Sequence, residues 1–226
     1  MKTIVLLSGG LDSAVNLKCA LDQGEVARAI TFDYGQVAFA NEAKAAGQCA
    51  ARCGVPHAIV SLPWYGEVAA NPVMGRGEIA PHPGGILAEA PALLREAWIP
   101  NRNCVLVSIG AAYAEALGAR AVVVGFNREE AEVFPDNSRG FLEKINRVLS
   151  VSTLSAVEAL CYTIDMTKDE IVGLGLKISA PLDLIYSCYR RSDDQRMCGT
   201  CQSCLRVKAA LRANRVFERY AARFAE

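Results

Sequence analysis

The 226-residue sequence has few histidines, no excess of charge of either sign and no long hydrophobic run. Lys plus Arg and Asp plus Glu both total 24, which argues against bulk electrostatic binding of nucleic acid. No stretch approaches the ~20 apolar residues of a membrane span. The apolar run Ile4 to Leu7 is shorter than the roughly 7–15 residues of a secretory signal core. We therefore expect a cytoplasmic protein with no membrane partner and no stable nucleic-acid partner.

The common residues of acid–base catalysis are also scarce. His57 and His82 are the only histidines, and neither pattern around them suggests a role. No Ser/His/Asp triad or pair of catalytic carboxylates is recognisable in the sequence. The function must therefore be sought in other motifs.

Nine cysteines are present, but the sequence gives little reason to expect disulfides. An odd cysteine count in a chain of this length, with no visible secretory signal, favours reduced thiols. Cys49 and Cys53 have the i, i+4 spacing of a helical metal site, but no further ligand lies nearby in sequence. Five scattered cysteines are therefore interpreted as small buried hydrophobic residues: Cys19, Cys49, Cys53, Cys104 and Cys161.

Short apolar runs alternate with helix-forming segments, and this order predicts an α/β fold with a doubly wound parallel sheet. Hydrophobic residues make up 52% of the chain, enough for a sizeable core. Strands are predicted at 3–7, 26–32, 57–61, 121–125 and 160–164. Helices are predicted at 11–23, 38–53, 103–117 and 138–151, from a capping box at Thr167 and Glu170, and over a basic stretch from about 202 to 224.

Polar motifs follow three of these strands. Ligands of doubly wound sheets bind beyond the carboxyl ends of the strands, which is where these motifs lie. SGGLDS (8–13) follows the first strand, DYGQ (33–36) the second and GFN (125–127) the fourth. In SGGLDS, the glycines allow a tight turn that presents N–H groups to an anion, and the next residues open a helix with its positive dipole end. The alternative is an ordinary strand–glycine–helix turn, but the complete string favours a phosphate loop. It lacks the G-K-[ST] of a Walker motif.

Cys188, Cys198, Cys201 and Cys204 form a C-x9-C-x2-C-x2-C cluster within seventeen residues. Four thiolates with this spacing are typical of a structural zinc site, which has no open coordination position. An iron–sulfur cluster, a redox-active dithiol and four unligated thiols are the alternatives. Nearby arginines that could stabilise thiolate charge are Arg190, Arg191 and Arg196.

SGGxDS resembles the PP-loop of the ATP pyrophosphatase (adenine nucleotide α-hydrolase-like) superfamily, which has a Rossmann-like fold. Together with FDYGQ (32–36), RN (102–103), FPD (134–136) and the four cysteines, it resembles the 7-cyano-7-deazaguanine synthase (QueC/ExsB) family over nearly the whole chain. The resemblance implies an ATP-dependent carbon–nitrogen ligase that converts 7-carboxy-7-deazaguanine and ammonia to 7-cyano-7-deazaguanine (preQ0). It implies ATP, Mg²⁺ and Zn²⁺ as cofactors, and we expect a homodimer.

The resemblance also implies roles for individual residues. Catalytic roles fall on Ser8, Asp12, Ser13 and Lys168, and the nucleotide-binding residues are Ser8, Gly9, Gly10, Leu11, Asp12, Ser13, Asp33, Gln36, Arg102 and Asn103. The dipole disfavours a cation at a helix start, which suggests that Lys168 faces phosphate. Phe134 and Asp136 are the predicted substrate residues, with a turn role as the alternative for Asp136. For Arg102 and Asn103, the alternative is a solvated arginine and a helix cap.

The sequence departs from the family pattern in two places. It has Pro100-Asn101-Arg102-Asn103 where the family usually has PGRN, and FPDNS (134–138) where the family usually has YPDCR. These departures leave open a paralogue that acts on a related deazapurine or stops at the amide. A PP-loop enzyme that modifies tRNA would carry a nucleic-acid-binding extension. A zinc-ribbon module whose basic helix grips nucleic acid would leave SGGLDS unexplained.

These motifs also predict the division of the chain. Residues 1–180 are expected to form the nucleotide-binding domain, and residues 181–226 a zinc-binding and helical C-terminal segment. The stretch 63–100 contains several prolines and glycines, and a loop of this length is usually functional. We expect this stretch to form a lid or a mobile loop.

Overall fold

The computed structural model describes residues 1–79 and 90–225. Its centre is a five-stranded sheet with strand order β3-β2-β1-β4-β5, in which each neighbouring pair is parallel. This confirms the predicted doubly wound parallel sheet. The strands are β1 (Lys2–Leu6), β2 (Glu25–Asp33), β3 (His57–Ser61), β4 (Ala121–Val123) and β5 (Glu158–Leu160).

Helices cover both faces of this sheet. Among the described residues, none of the helices combines the length and apolar character needed to span a membrane. The helices are α1 (Leu11–Gln23), α2 (Phe39–Arg52), α3 (Tyr65–Val68), α4 (Ala90–Ala97), α5 (Arg102–Ala116), α6 (Arg128–Ala131), α7 (Arg139–Ser152), α8 (Lys168–Lys177), α9 (Gln202–Ala213) and α10 (Phe217–Tyr220). Short 3-10 turns lie at Pro72–Met74, Pro135–Asn137 and Ala221–Arg223.

Alternation along β1 divides the core into two halves. Ile4 points to one face of the sheet and packs with residues of α5 and α7, such as Val107 and Ile145. Val5 points to the other face and packs with α1, α2, α8 and α9. This is the two-residue period of a strand that is buried on both faces, which explains its continuous apolar sequence.

The C-terminal segment belongs to the second of these halves. Cys188, Cys204 and Val207 are buried in the same hydrophobic cluster as Val5 and Leu7. Residues on both sides of position 180 therefore share one core. The division of the chain into two units stays a prediction.

Two local predictions differ from the structure. The last strand lies at Glu158–Leu160, not at 160–164. The C-terminal helix, predicted to reach about residue 224, ends at Ala213, because Arg215 has φ +58° and the chain leaves the helical conformation. The lid or mobile loop at 63–100 stays a prediction; the described part of this stretch contains α3, Pro72–Met74 and α4. Its central part, including His82, lies outside the described residues.

Candidate active site

A cavity opens beyond the carboxyl ends of β1, β2 and β4. Its wall includes the SGGLDS segment, the start of α5 and the chain that leads into the cysteine cluster. Ligands bind at this position in doubly wound sheets. The predicted site residues that line it are Ser8, Gly10, Leu11, Asp12, Ser13, Gln36, Arg102, Asn103, Phe134 and Lys168.

Three predicted residues are not part of the described wall: Gly9, Asp33 and Asp136. The Asp33 carboxylate accepts a hydrogen bond from the backbone N–H of Gly35 at 3.1 Å, within its own turn. The Asp136 carboxylate accepts from the side chain of Asn137 at 3.2 Å. The nucleotide contact predicted for Asp33 and the substrate contact predicted for Asp136 stay predictions, and the charge of Asp136 acts on the cavity residue Arg102.

Glycine allows the SGGLDS segment to pack against its neighbours at backbone level. Gly9 has φ +83°, and a Cβ there would lie 2.5 Å from the carbonyl oxygen of Glu42 on α2. A Cβ at Gly125, after β4, would lie 2.7 Å from the backbone nitrogen of Ser13. Side chains cannot approach backbone atoms so closely, so only glycine fits at either position. The loop is held between α2 and the end of β4.

Three serine hydroxyl groups surround the start of α1. The Oγ of Ser8 lies 3.1 Å from the Oγ of Ser13 and accepts a hydrogen bond from the N–H of Gly10 at 3.3 Å. The hydroxyl of Ser13 donates to the carbonyl of Gly10 at 3.0 Å. Ser187 accepts from the N–H of Leu11 at 3.0 Å. Hydroxyl and N–H groups at the positive end of a helix dipole form a site suited to phosphate.

A network of charged side chains, termed here the charged network, lies behind this loop. It consists of Asp12, Glu129, Glu130, Lys168 and Arg206. The Nζ of Lys168 contacts a carboxylate oxygen of Asp12 and lies 3.1 Å from the Oε1 of Glu130. Arg206 of α9 lies 3.0 Å from the same Glu130 oxygen and 3.1 Å from the Oε2 of Glu129. The network thus joins α1, α6, α8 and α9.

Burial and neighbouring positive charges have opposite effects on the pKa values of the carboxyl groups in this network. Burial raises the pKa of Asp12 above its ordinary value, and the ammonium group of Lys168 opposes this only in part. Burial alone would also raise the pKa of Glu130, but Lys168 and Arg206 hold it below its usual range. The Oδ1 of Asp12 is buried and has no hydrogen-bond partner among the described residues. An unpaired carboxylate oxygen beside a phosphate loop fits a ligand of a divalent cation.

Arg102 brings a positive charge to the opposite wall. It opens α5 as predicted, donates a hydrogen bond to the hydroxyl of Tyr34 at 3.4 Å and lies over the Tyr34 ring. No carboxylate within residues 1–79 and 90–225 forms an ion pair with it. The amide of Asn103 donates to the backbone carbonyl of Asp136 at 3.2 Å. Arg102 is therefore a cation available to an anionic ligand, and Asn103 fixes the loop that follows β4.

Glu42 lines the cavity but was not identified from the sequence, where it lies within an Ala-rich helix. Its Oε2 accepts a hydrogen bond from the side-chain amide of Gln36 at 3.0 Å. Gln36 is held in turn by the carbonyl of Phe32 at 2.9 Å. Burial raises the pKa of Glu42 to about 7, although the hydrogen bond from Gln36 and the charge of Arg102 act to lower it. The first-turn position, six residues after Gln36, is the sequence signal that could have indicated it.

The segment before the cysteine cluster also enters the cavity, and this was not predicted. Tyr186, Ser187, Cys188 and Tyr189 all line the wall. The N–H of Tyr186 donates to the carbonyl of Gly9 at 2.8 Å. The cluster is therefore adjacent to the phosphate loop in space, although nearly the whole chain separates them in sequence.

The four cysteines are arranged as ligands of a single metal ion. Their Sγ atoms all lie within 4.8 Å of one another, with 3.9 Å between Cys188 and Cys201 and 3.8 Å between Cys198 and Cys204. A tetrahedral ion with metal–sulfur bonds of ~2.3 Å separates its ligands by about 3.8 Å. An iron–sulfur cluster would have to fit between the thiolates, and this spacing is too small for one.

Thiolate charge is stabilised by backbone N–H groups and not by the arginines proposed from the sequence. The N–H of Arg190 donates to Cys188 at 3.3 Å, and the N–H of Cys201 donates to Cys198 at 3.3 Å. The guanidinium of Arg190 instead donates to the carbonyl of Ile79, and that of Arg196 to Asp194. Arg191 is exposed.

Comparison with known proteins identifies the family of the chain. The profile described as queuosine biosynthesis protein QueC matches residues 2–215. The chain belongs to the QueC family. A protein of Desulforudis audaxviator (strain MP104C) named 7-cyano-7-deazaguanine synthase is 45% identical over 217 residues, 94% of this chain and 97% of that protein. A protein of the same name from Pelotomaculum thermopropionicum is 46% identical over 215 residues, 93% of this chain and 96% of that protein.

An archaeal relative of the same name, from Methanothermobacter thermautotrophicus, is 42% identical over 212 residues, 93% of this chain and 94% of that protein. Membership of the QueC family confirms the resemblance predicted from the sequence, and with it the prediction that the chain is an enzyme. The roles of the individual site residues stay predictions.

The structure explains how the first departure from the QueC pattern is accommodated. Asn101 stands where the family usually has glycine, and it has φ 56° and ψ 19°. Asparagine is among the few residues other than glycine that adopt this left-handed conformation readily. In the second departure, Ser138 caps α7 by accepting from the N–H of Phe141 at 3.1 Å. Asn101 thus adopts a backbone conformation that glycine also adopts, and Ser138 supplies a helix cap.

Removal of the metal from the four-cysteine site is expected to destabilise the fold, because the thiolates then repel one another within the core. A loss of several kcal/mol lowers the melting temperature by roughly 10 °C in a chain of this size. The measurement is thermal unfolding before and after chelation, with metal content determined in parallel. The control is the same chelator saturated beforehand with zinc. Loss of activity on chelation with an unchanged melting transition would contradict a structural role.

Glu42→Gln is expected to change how stability depends on pH. The folded pKa of Glu42 is about 7, above the ordinary 4.5, so the wild-type protein loses stability as pH rises from 4.5 to 7. The glutamine variant does not, so relative to wild type it gains about 2 kcal/mol between pH 5 and pH 8. Urea unfolding at both pH values measures this. The matched control is Glu218→Gln on the surface, and equal behaviour of the two variants would show that Glu42 is not a buried acid.

Proposed function

We propose that the chain converts 7-carboxy-7-deazaguanine and ammonia to 7-cyano-7-deazaguanine at the expense of ATP. The observation that carries this proposal is a phosphate loop and the unpaired cation Arg102 on the walls of one cavity. Relatives named for the product match more than nine-tenths of the chain. The alternatives are arrest at the amide or action on a related deazapurine. Identification of the reaction product distinguishes them.

The proposed chemistry activates one carbon twice. A carboxylate oxygen of the substrate attacks the α-phosphorus of ATP, and pyrophosphate leaves with the electron pair of the broken P–O bond. Ammonia then displaces AMP to give the amide. A second adenylation on the amide oxygen makes that oxygen a leaving group, and loss of AMP and protons gives the nitrile. Positioning and charge stabilisation are the main demands on the protein.

The phosphates are assigned to the loop. Ser8, Ser13 and the N–H groups at the start of α1 hold the pyrophosphate part, because they form an anion site at a helix N-terminus. Lys168, whose Nζ reaches the cavity, neutralises charge that develops on it. Arg102 binds the substrate carboxylate or the α-phosphate from the opposite wall. Phe134 supplies an aromatic surface for the deazapurine.

Two metals are assigned to separate sites. Mg²⁺ would be held by Asp12, whose Oδ1 is unpaired, with Glu130 nearby, and would supply charge neutralisation for the phosphates. Zn²⁺ would be held by the four cysteines, since a small buried site of four thiolates is typical of structural zinc. We infer that the partner is a free small molecule, because the net charge is zero and Arg206 of the basic helix is committed to the charged network. The homodimer stays a prediction.

Release of pyrophosphate from ATP tests this function directly. Release is expected with 7-carboxy-7-deazaguanine and ammonium together, and mass spectrometry should show the nitrile. Arg102→Met should lower kcat/KM by roughly 10- to 100-fold, because it removes a charge-assisted hydrogen bond to an anion. Arg95→Met, at an exposed arginine of α4, is the matched control. Absence of pyrophosphate release from the wild type with this substrate would overturn the proposal, and release with amide as the final product would restrict it.

A further inference from the structure

Glu42 has no role in the reaction as described so far. Three carboxylates line the described part of the cavity: Asp12, Glu42 and Glu130. Asp12 and Glu130 are both paired with Lys168, whereas Glu42 forms no ion pair with any described lysine or arginine. Its hydrogen bond from Gln36 uses Oε2 and leaves Oε1 without a described partner. Glu42 therefore combines access to the cavity with a free acceptor oxygen.

The position of Glu42 relates it to both halves of the site. Its backbone carbonyl packs directly against Gly9 of the phosphate loop. Its side chain contacts Gln36, and its charge acts on the neighbouring Tyr34 and interacts with Arg102 of the opposite wall. An adenylated carboxylate, with its phosphate on the loop and its acyl group toward Arg102, would place the reacting carbon beside Glu42.

The ammonia step requires a base. When ammonia forms a C–N bond with the acyl carbon, the C–O bond to AMP breaks, its electron pair stays on AMP, and nitrogen must lose a proton. The sequence contains only two histidines. His57 is engaged with the hydroxyl of Thr31 at 2.7 Å on the strand, and His82 lies outside the described residues. Among the described groups that line the cavity, an unpaired carboxylate is the strongest candidate acceptor.

We propose that Glu42 is the catalytic base of the ammonia step, and that its Oε1 takes the proton from nitrogen as the C–N bond forms. This deepens the proposed function and rests on it. The proton passes from Glu42 to water after AMP has left, so the step needs no other co-reactant. Gln36 is the positioning residue, because its amide fixes the other oxygen of the carboxylate.

The surroundings of Glu42 suit this role. The charged group that faces it is the guanidinium of Arg102 from α5, and the neutral phenol of Tyr34 from the end of β2 also faces it. Burial exceeds the opposing effects of the Gln36 hydrogen bond and of Arg102 and raises the pKa of Glu42 to about 7. A base with a pKa near the working pH is partly ionised and still a stronger acceptor than an ordinary carboxylate. The destabilisation that this implies is typical of functional sites.

The test separates adenylation from amination. Isotope exchange between pyrophosphate and ATP, with 7-carboxy-7-deazaguanine and without ammonium, reports adenylation alone. Glu42→Gln keeps the size of the side chain and an acceptor for Gln36, so exchange should stay within about threefold of wild type. Ammonium-dependent turnover should fall by roughly 100-fold or more, the usual contribution of a general base. The matched control, Glu218→Gln, should leave both rates unchanged.

A pH profile gives an independent readout. Hydroxylamine can replace ammonia as the nucleophile, and its conjugate acid is far more acidic than ammonium, so ionisation of the nucleophile does not dominate the profile. The wild-type rate of hydroxamate formation should rise with pH through about 7, and this rise should be absent in Glu42→Gln. Unchanged amination, or an equal loss of exchange and amination, would overturn the role of Glu42. Absence of exchange in the wild type would instead overturn the proposed function.

Discussion

The contact of Lys168 with Asp12 and Glu130 is the interaction on which the rest of the site depends. Ionised groups are costly to bury unless they are paired, and removal of one partner leaves an uncompensated charge in the interior. Lys168 lies at the start of α8, Asp12 at the start of α1 and Glu130 in α6. Pairing among them therefore fixes three helices around one point. That point is the base of the SGGLDS loop.

Arg206 connects this arrangement to the C-terminal segment. It contacts Glu129 and Glu130 from α9, a helix that begins directly after Cys201 and contains Cys204. At the other end of the cysteine cluster, Ser187 accepts a hydrogen bond from Leu11 at the start of α1. The proposed metal site thus lies between a contact with the charged network and a contact with the SGGLDS loop. Its four thiolate ligands are typical of a structural metal site, but the residues next to it form part of the cavity wall.

Features of the fold and of the phosphate loop that local sequence patterns encode could be predicted. The parallel sheet follows from the alternation of apolar runs and helices, and the tight turn at Gly9 follows from the SGGLDS string. Side chains that reach the site through tertiary contacts could not be predicted from the sequence. Glu42 and Ser187 reach the cavity only because α2 and the C-terminal segment fold against the loop. Asp136 belongs to a family-like motif, and its carboxylate accepts a hydrogen bond from Asn137 within the turn, a local contact that the sequence does not reveal. Boundaries were displaced where one residue adopts a left-handed conformation, as at Arg215.

The central claim is that the charged network, three of whose members line the cavity, positions the groups that bind phosphate. Arg206 tests it best, because it does not belong to the described cavity wall and reaches Lys168 through two carboxylates, Glu129 and Glu130. The measurement is the Kd for ATP of Arg206→Met beside that of Arg212→Met, an exposed arginine on the same helix, with folding of both verified by thermal unfolding. We predict that the folded Arg206→Met protein binds ATP roughly tenfold more weakly, a difference of about 1.4 kcal/mol, and that Arg212→Met binds as wild type. Equal affinity in a folded Arg206→Met protein would contradict the account.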